Sequence, residues 1–168
     1  VMSGRDFLSA YPQDSMDLFL GLLREASFSA KVKEIRLTIY RLASNPKITE
    51  YLIYAARNGK KVRVVLELRA RFDEERNLAW AEKLEAAGCK VYYGTEKYKV
   101  HSKMCQIVTA GSGGEEGYIT QISTGNYNEK TAKQYTDLSL VTYDQKIGRA
   151  ASRLFRDIWK ERIADGAS

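Results

Sequence analysis

Segments with a strand pattern alternate with helical patterns through the first half of the chain, and this order limits the fold more than any other feature. EIRLTIY (34–40) alternates apolar and polar residues, and KKVRVVLEL (60–68) is rich in β-branched residues, so both are predicted to be strands. A helical pattern follows each of them and ends at Gly59 or Gly88. Because strand–helix–strand connections within one sheet are right-handed crossovers, these strands are predicted to lie parallel.

Capping residues indicate where the helices begin. The first helix is predicted over 14–27 with Asp14 as its N-cap, and the second has Asn45 as N-cap and Pro46 in its first turn. The third is predicted in DEERNLAWAEKLEAAG (73–88). Acids in its first turn favour the helix dipole, and they are Asp73, Glu74 and Glu75.

In the second half, strand patterns follow one another before a closing helix. The predicted strands are CKVYY (89–93), YKVHSKMCQIV (98–108), YITQIST (118–124) and TDLSLVT (136–142). The glycine-rich loop between the second and third of these predicts an antiparallel hairpin. The last helix is predicted to face the core through Ile147, Ala150, Ala151, Leu154, Phe155 and Ile158. The whole order predicts one α/β layered domain over 1–168, with a mixed sheet flanked by helices.

The composition limits the classes of partner and of site. A net charge of +6 and a pI near 9.2 favour an anionic partner: nucleic acid, nucleotide, polyphosphate or an acidic lipid surface. The chain has two cysteines and one histidine, which argues against a disulfide framework or a structural zinc site. The cysteines are expected to be small core residues of a cytosolic protein. No apolar stretch approaches the roughly 18 residues that a membrane-spanning helix needs.

The single histidine, His101, lies in the predicted strand 98–108, two positions before Lys103. Strand side chains alternate between faces, so the imidazole and the ammonium are expected on the same side of the sheet. A neutral imidazole is a good nucleophile toward phosphorus, and a neighbouring ammonium neutralises phosphoryl oxygens. The alternative is an exposed edge strand whose lysines protect it from aggregation.

STGNYN (123–128) follows the next predicted strand and offers small residues, backbone N–H groups and amide side chains. Such a loop can bind phosphate oxygens through dipoles instead of full charges. Taken alone, it is equally well explained as a turn, because Gly and Asn tolerate left-handed backbone conformations.

The two motifs together resemble the pattern of the phospholipase D superfamily, a His-x-Lys strand followed by a Gly/Ser-x-Asn loop. The matching residues are His101, Lys103, Thr124 and Asn126. The acid that follows the lysine in that superfamily is absent, since Val108 stands at its position. This difference argues against phosphodiester hydrolysis.

A narrower resemblance covers residues 6–155. Its motifs are LTIYR, ARFDEE, YKVHSK and STGNYNEKTAKQYTDLSL. With these motifs the chain resembles the first phospholipase D-like catalytic domain of bacterial polyphosphate kinases. The resemblance implies a phospholipase D-like fold. It also implies that His101 takes the γ-phosphoryl of ATP and passes it to polyphosphate. Ser123 replaces the glycine usual in GTGNYN, which we expect to tighten the loop.

The resemblance also implies the binding residues. Arg41 and Arg71 match arginines of a phosphate–Mg²⁺ site, and Tyr135 matches a nucleotide-binding tyrosine. A guanidinium has no acceptor atom and cannot ligate Mg²⁺, so we interpret both arginines as phosphate clamps that contact the metal only through phosphate. For Arg69 a solvated charge is the simpler interpretation. Without the resemblance, Tyr135 would be interpreted as a half-buried core residue.

The ring of His101 needs an acceptor for its second nitrogen to fix the tautomer. Asp137 and Glu67 are the candidates, because both are acids in otherwise apolar strands. We predict that Asp137 takes this role.

The leading hypothesis is therefore an ATP:polyphosphate phosphotransferase domain that works through phosphohistidine, with Mg²⁺ as cofactor. One alternative is a phospholipase D-like nuclease or phosphodiesterase half-site, and another is a basic module that binds polyanions. The resemblance implies a domain of a longer kinase that shares its active site with other domains and is homo-oligomeric at full length. The expected partners are ATP, ADP and polyphosphate, without nucleic acid. The expected location is the cytoplasm, with peripheral contact at the inner face of the membrane as the alternative.

Overall fold

The structure, a computed structural model, describes residues 4–42, 46–67, 74–94 and 99–160. Within these ranges the chain forms strands and helices in the order β1 (Phe7–Tyr11), α1 (Asp17–Phe28), β2 (Val32–Ile39), α2 (Lys47–Arg57), β3 (Lys61–Leu66), α3 (Glu74–Ala86), β4 (Lys90–Tyr93), β5 (Lys103–Ala110), β6 (Glu116–Ser123), β7 (Asp137–Thr142) and α4 (Gln145–Trp159). A short 3₁₀ turn, Thr131–Lys133, precedes β7. None of the helices in these ranges has the length and apolar content needed to cross a bilayer.

The strands form one mixed sheet in the order β1-β7-β6-β5-β2-β3-β4. Strands β2, β3 and β4 are parallel, and the other neighbours are antiparallel. The predicted parallel crossovers and the β5–β6 hairpin are confirmed, with Lys103 opposite Ser123. Strand β5 lies inside the sheet between β6 and β2, so the interpretation of this segment as a basic edge strand is wrong.

Strand β2 separates two layers of the core because its side chains alternate between the faces of the sheet. Ile35, Leu37 and Ile39 are buried in the cluster that contains the apolar residues of α1 and α2. A second cluster lies on the side of α4, and its members are Val65, Val100, Met104, Ala151, Phe155 and Ile158. Each fully buried large apolar side chain contributes about 1.5–3 kcal/mol to stability.

The α4 side of β2 carries buried charges at its beginning. Glu34 contacts Arg36 at 3.0 Å and Arg63 at 3.1 Å, and these three residues are called the Glu34 cluster below. The Arg63 guanidinium lies 4.3 Å from the centroid of the Trp159 ring, on α4. Arg36 also donates hydrogen bonds to Gln106 and Ser152. The cluster thus ties the sheet to α4 through partners that the chain itself supplies.

Two predicted helix starts are wrong. Helix α1 begins at Asp17 with Met16 at the N-cap, while the Asp14 carboxylate accepts from the Ala10 N–H at 2.7 Å, in the turn after β1. Helix α2 begins after Pro46, which lies at the N-cap and not in the first turn; the predicted cap Asn45 lies outside the described residues. Strand β1 was not predicted at all, because its five residues show no clear alternation.

Acidic residues that favour a helix N-terminus lie at the beginning of α3 and α4. Glu74 and Glu75 occupy the first turn of α3 as expected, and Asp73 lies outside the described residues. Asp144 caps α4 by accepting from the N–H groups of Lys146 and Ile147.

The predicted inward stripe of α4 is only half correct. Ala151, Phe155 and Ile158 are buried, whereas Ile147, Ala150 and Leu154 are exposed. The reason is a close approach at Gly148, where an added Cβ would overlap the Tyr118 side chain. Helix α4 therefore faces the sheet through Gly148 and Ser152, both of them buried, and this turns the neighbouring apolar positions toward water.

Candidate active site

A cavity of about 370 Å³ opens where the loop before β5 meets the loop after β6. It is lined by residues that include Arg41, His101, Lys103, Thr124, Asn126, Tyr135 and Asp137. Arg41 follows the carboxyl end of β2, which is where open α/β sheets bind their ligands. The cavity thus brings together every predicted site residue within the described ranges. Arg71 and Arg69 lie outside those ranges.

A larger cavity of about 460 Å³ lies between the turn after β1 and the segment 129–133. Among its lining residues, Glu129 accepts from the Lys47 backbone N–H at 3.1 Å, and the Lys47 ammonium lies 3.9 Å from the Asp17 carboxylate. The single histidine of the chain lines the smaller cavity instead. The smaller cavity is called the histidine site below.

His101 lies in the loop before β5, which begins only at Lys103. The alternation of strand side chains is therefore not the reason that the two residues meet. They do meet: the Lys103 ammonium lies 3.1 Å from both ring nitrogens of His101. The Tyr40 ring supports the imidazole edge-on, with 4.7 Å between ring centroids and 80° between the planes.

The surroundings of His101 favour its neutral form. Partial desolvation, followed by the positive charges of Lys103, Arg41 and Lys99, lowers the pKa of His101 below its ordinary value. Desolvation also lowers the pKa of Lys103, and Asp137 opposes that shift. The imidazole is therefore unprotonated near neutral pH and keeps a nitrogen lone pair for attack on an electrophile.

Asp137 does not take the role predicted for it. Its carboxylate accepts a hydrogen bond from the Thr124 hydroxyl at 2.8 Å, and within the described ranges no hydrogen bond joins it to His101. The Thr124 hydroxyl in turn accepts from the Leu138 N–H at 3.0 Å. Asp137 thus holds the loop after β6 and supplies a negative charge near Lys103.

Glu67, the other candidate acceptor, bonds to the backbone beside the imidazole, and within the described ranges no hydrogen bond joins it to the ring. Its carboxylate accepts from the Val100 N–H at 2.8 Å, next to His101 in the chain.

The loop after β6 presents Asn126 to the cavity and is anchored beneath it by Tyr127. The buried Tyr127 hydroxyl donates to Gln121, and its ring stacks on Phe19 with 5.4 Å between centroids. Ser123 accepts from the Gly125 N–H at 3.1 Å, a bond that a glycine at position 123 could not form. Whether this bond tightens the loop relative to glycine stays a prediction.

The Asn126 amide oxygen is buried and has no hydrogen-bond partner within the described part of the chain. Buried polar atoms are rarely left without a partner, so an unpaired one at a cavity is a feature that calls for an explanation. The missing partner must be a donor, because an amide oxygen only accepts hydrogen bonds, while the NH₂ group of the same side chain is the part that can donate to phosphate oxygens.

Arg41 and Tyr135 complete the lining. The Arg41 guanidinium lies 5.6 Å from the centroid of the Tyr40 ring. Tyr135 is 62% exposed, just past the turn Thr131–Lys133, so its interpretation as a half-buried core residue is wrong. An exposed aromatic ring at the rim of a cationic cavity is suited to contact a nucleotide base.

Two buried side chains that the sequence did not identify hold the backbone around the site. Thr38 donates to the Ser102 carbonyl at 2.7 Å and accepts from the Met104 N–H at 3.0 Å. The buried Asn77 amide donates to the carbonyls of Tyr40 and Glu67 at 3.1 and 3.3 Å. The alternation of EIRLTIY places Thr38 and Tyr40 on one polar face, and this was the available signal.

The described residues hold no group of three or more His, Cys, Asp or Glu that could bind a metal ion. Asp137 is a single carboxylate and already accepts a hydrogen bond from Thr124. A Mg²⁺ ion fits this lining only as an ion that arrives on substrate phosphates, with phosphate oxygens and water as its main ligands.

Comparison with known proteins agrees with this geometry. The family model for polyphosphate kinase C-terminal domain 1 matches residues 1–163. Polyphosphate kinase of Escherichia coli strain K12 is 45% identical over 154 residues, which cover 92% of this chain and 22% of that protein. The chain therefore spans about a fifth of the length of this relative.

Two solved structures show how widely the fold is shared. The crystal structure of polyphosphate kinase from Porphyromonas gingivalis has a TM-score of 0.83 and 40% identity, over 97% of this chain and 27% of that one. Nuc from Salmonella typhimurium, a phospholipase D family member, has a TM-score of 0.71 at 19% identity, over 93% and 94% of the two chains. The second similarity shows a common phospholipase D-like fold and nothing about activity.

Proposed function

The chain belongs to the polyphosphate kinase C-terminal domain 1 family, and from this premise we propose that it carries the phosphoryl-accepting histidine of a polyphosphate kinase. His101 would take the γ-phosphoryl group of ATP and pass it reversibly to the end of a polyphosphate chain. The observation that carries the proposal is the contact of His101 with Lys103, 3.1 Å from ammonium to ring nitrogens, in a cavity whose surroundings lower the histidine pKa.

In the first step, the unprotonated ring nitrogen of His101 attacks the γ-phosphorus of ATP. The N–P bond forms as the bond between phosphorus and the bridging oxygen breaks, and ADP leaves with that oxygen. Lys103 lies beside the ring, so its ammonium is placed to donate hydrogen bonds to the phosphoryl oxygens as they approach. The Asn126 side chain lines the same cavity, and its amide is a neutral polar group beside the charged Lys103.

In the second step, a terminal phosphate oxygen of polyphosphate attacks the phosphorus, and the N–P bond breaks. The ring nitrogen regains its lone pair, and the polymer is one phosphate longer. Splitting the transfer into two displacements lets the same cationic groups stabilise both transition states. The reaction is reversible because the N–P bond and the phosphoanhydride bond are both high-energy linkages.

Arg41 would act as a clamp on the phosphates that do not react, and we keep the same proposal for Arg71. When Mg²⁺ is bound it neutralises phosphate charge, and this chain contributes to its binding only by holding the phosphates. Tyr135 would contact the nucleotide. Because the chain spans 22% of its Escherichia coli relative, we propose that other segments of the polypeptide supply the remaining nucleotide contacts.

The phosphodiesterase alternative lacks support from the described residues. Val108 stands where the phospholipase D pattern has its acid, and it is buried inside β5. The similarity to Nuc rests on the fold alone. We therefore keep phosphoryl transfer as the proposed reaction.

The test uses the longer kinase that contains this domain, labelled with ATP that carries a radioactive γ-phosphate. We expect acid-labile, alkali-stable label at His101. We also expect the variant His101→Gln, which keeps a similar volume and hydrogen-bonding groups, to lose both the label and polymer synthesis. Its melting temperature should change little, because His101 is exposed. Polymer synthesis at a normal rate by His101→Gln would disprove the mechanism.

A further inference from the structure

The backbone that carries His101 is held from both sides by buried side chains. Upstream, the Val100 N–H donates to the Glu67 carboxylate at 2.8 Å. Downstream, the Ser102 carbonyl accepts from the Thr38 hydroxyl at 2.7 Å. Both holding residues are 1% exposed. We propose that Glu67 and Thr38 are positioning residues that keep the His101 ring against Lys103, an inference that rests on the proposed function.

Thr38 forms two bonds to the incoming segment. Its hydroxyl donates to the Ser102 carbonyl and accepts from the Met104 N–H at 3.0 Å. These bonds occur just beyond the paired part of β2 and β5, whose last matched pair is Leu37 with Cys105. The hydroxyl therefore replaces the backbone ladder between β2 and β5 at the end next to His101, while Lys103 and Met104 stay paired with β6.

The position of Glu67 is itself fixed by hydrogen bonds of its backbone and by a close contact of its side chain. Its N–H donates to the Ile39 carbonyl at 2.9 Å, and its carbonyl accepts from the Asn77 amide at 3.3 Å. Gly94 leaves space for the carboxylate, because a Cβ at that position would lie 2.9 Å from the Glu67 Oε2. The carboxylate is thus fixed by β3 on one side and by the close approach of Gly94 on the other.

A buried carboxylate is an unfavourable choice for stability alone. Moving a charge out of water is costly, and an apolar side chain of the same volume often stabilises a core better. A carboxylate that accepts a backbone N–H forms a shorter and stronger bond than a neutral acceptor. At Val100 this bond lies one residue from the nucleophile, where a displacement of about 1 Å can lower the rate about 100-fold.

The kinetic experiment uses the longer kinase and measures the rate of polymer synthesis and of His101 labelling. We expect Glu67→Met to lower kcat about 10- to 100-fold while KM for ATP changes by less than about 3-fold, since the nucleotide contacts remain in place. Glu67→Gln keeps an acceptor oxygen and should retain most of the rate. Thr38→Val should lose rate in the same way, and Thr38→Ser should keep it.

Glu34→Gln is the control for the loss of a buried carboxylate away from the site, and Glu67→Gln is its counterpart at the site. Glu34 is also a buried carboxylate, but it lies at the start of β2 and contacts Arg36 and Arg63. We expect this variant to melt at a lower temperature and to keep kcat. Equal loss of kcat in Glu34→Gln and Glu67→Met would show that both acids act only on stability, and the proposal would be overturned.

A second measurement does not depend on activity. His101 is the only histidine, so the two carbon-bound protons of its ring are the only histidine signals in the NMR spectrum of the 168-residue chain. We expect Glu67→Met to accelerate hydrogen exchange at the Val100 amide and to shift the His101 signal, and we expect Glu34→Gln to do neither. An unchanged Val100 amide and an unchanged His101 signal in Glu67→Met would reject the proposal.

The kinetic and NMR measurements distinguish failure of the proposed function from failure of the positioning role. If the kinase takes no label at His101, the proposed function falls, and hydrogen exchange still decides whether Glu67 holds this segment. If Glu67→Met does not fold, Gly94→Ala takes its place, because it displaces the carboxylate without removing it. Full kcat in Gly94→Ala and in Thr38→Val would then refute the proposal.

Discussion

The Glu34 cluster and the histidine site lie at opposite ends of strand β2 and differ in how their charges are matched. In the Glu34 cluster, one carboxylate contacts two guanidinium groups at 3.0 and 3.1 Å under α4. In the histidine site, the carboxylate of Asp137 accepts from Thr124, while the Lys103 ammonium faces the neutral imidazole. In the first set, the one carboxylate is shared by two guanidinium groups, so each charge has a partner within the chain. The second leaves positive potential at a cavity, which is what an incoming phosphate requires.

This difference explains why similar residues have different uses along one strand. Glu34, Arg36, Thr38 and Tyr40 are all on the α4 side of β2, and all are polar. Where α4 covers the face, the polar groups bond to one another and join the layers. Past the end of the strand, Tyr40 contacts the His101 ring at the cavity. The polar groups at the beginning of β2 thus join two layers of the fold, and those at its other end are accessible from a cavity.

The largest expected effect is a loss of stability at the Glu34 cluster, the end of β2 that α4 covers. Glu34→Ala removes the carboxylate and leaves Arg36 as a buried charge without its anion, so the free energy of unfolding should fall by about 3–5 kcal/mol. Urea unfolding measures this loss. The comparison predicts that the His101 signal of the folded variant is unchanged. A shifted His101 signal would show that the two ends of β2 are coupled, and the comparison would break.

The next largest effect is a loss of activity at the histidine site, the open end of β2. Arg41→Ala in the longer kinase should raise the transition-state free energy by about 2–4 kcal/mol, because a bidentate contact to phosphate is lost. Arg41→Lys should recover only part of it, since a point charge does not reproduce the guanidinium fork. The same result is expected for Arg71, which lies outside the described residues. Steady-state kinetics measure the loss, and full activity in Arg41→Ala would remove this residue from the site.

The sequence predicted those parts of the fold that depend on local periodicity. Alternation in EIRLTIY, β-branched residues in KKVRVVLEL and the order of the elements were enough for the mixed sheet and its parallel part. The orientation of α4 was not predictable in this way, because it depends on the approach of Gly148 to Tyr118 across the sheet. Apolar spacing identifies a helix but not which neighbour limits its rotation.

For the site, the residue types could be predicted and their contacts could not. His101, Lys103 and Asn126 line one cavity, as the motifs indicated. The bonds of Glu67 to Val100 and of Thr38 to Ser102 join residues 33 and 64 positions apart. They depend on the register of β2 against β5 and on the path of the loop, which no local pattern encodes. The prediction that Asp137 contacts the imidazole was wrong for the same reason, because the local sequence did not show that its carboxylate contacts Thr124.

A smaller effect concerns pH. The pKa of His101 is lowered from 6.5 in the folded state, so the folded chain binds fewer protons than the unfolded chain below that pH. The free energy of unfolding therefore decreases as the pH falls through this window and levels off below the folded-state pKa. NMR titration of the single histidine checks the direction. We expect Lys103→Met to raise the His101 pKa toward its ordinary value, and a wild-type pKa above 6.5 would contradict the electrostatic account.

The smallest expected change in stability is at Tyr135, and it separates binding from folding most clearly. The side chain is 62% exposed, so Tyr135→Ala should alter the free energy of unfolding by less than about 0.5 kcal/mol.

In the longer kinase the same substitution should raise KM for ATP and leave the kcat of the saturated enzyme nearly unchanged, because the tyrosine is at the rim of the cavity and away from the attacking nitrogen. Tyr135→Phe keeps the ring and should behave like the wild type if stacking on a base is the contact. A rise in KM with phenylalanine as large as that with alanine would instead assign the contact to the hydroxyl. An unchanged KM in both variants would leave the nucleotide to segments outside this chain, and the open end of β2 would then handle phosphate alone.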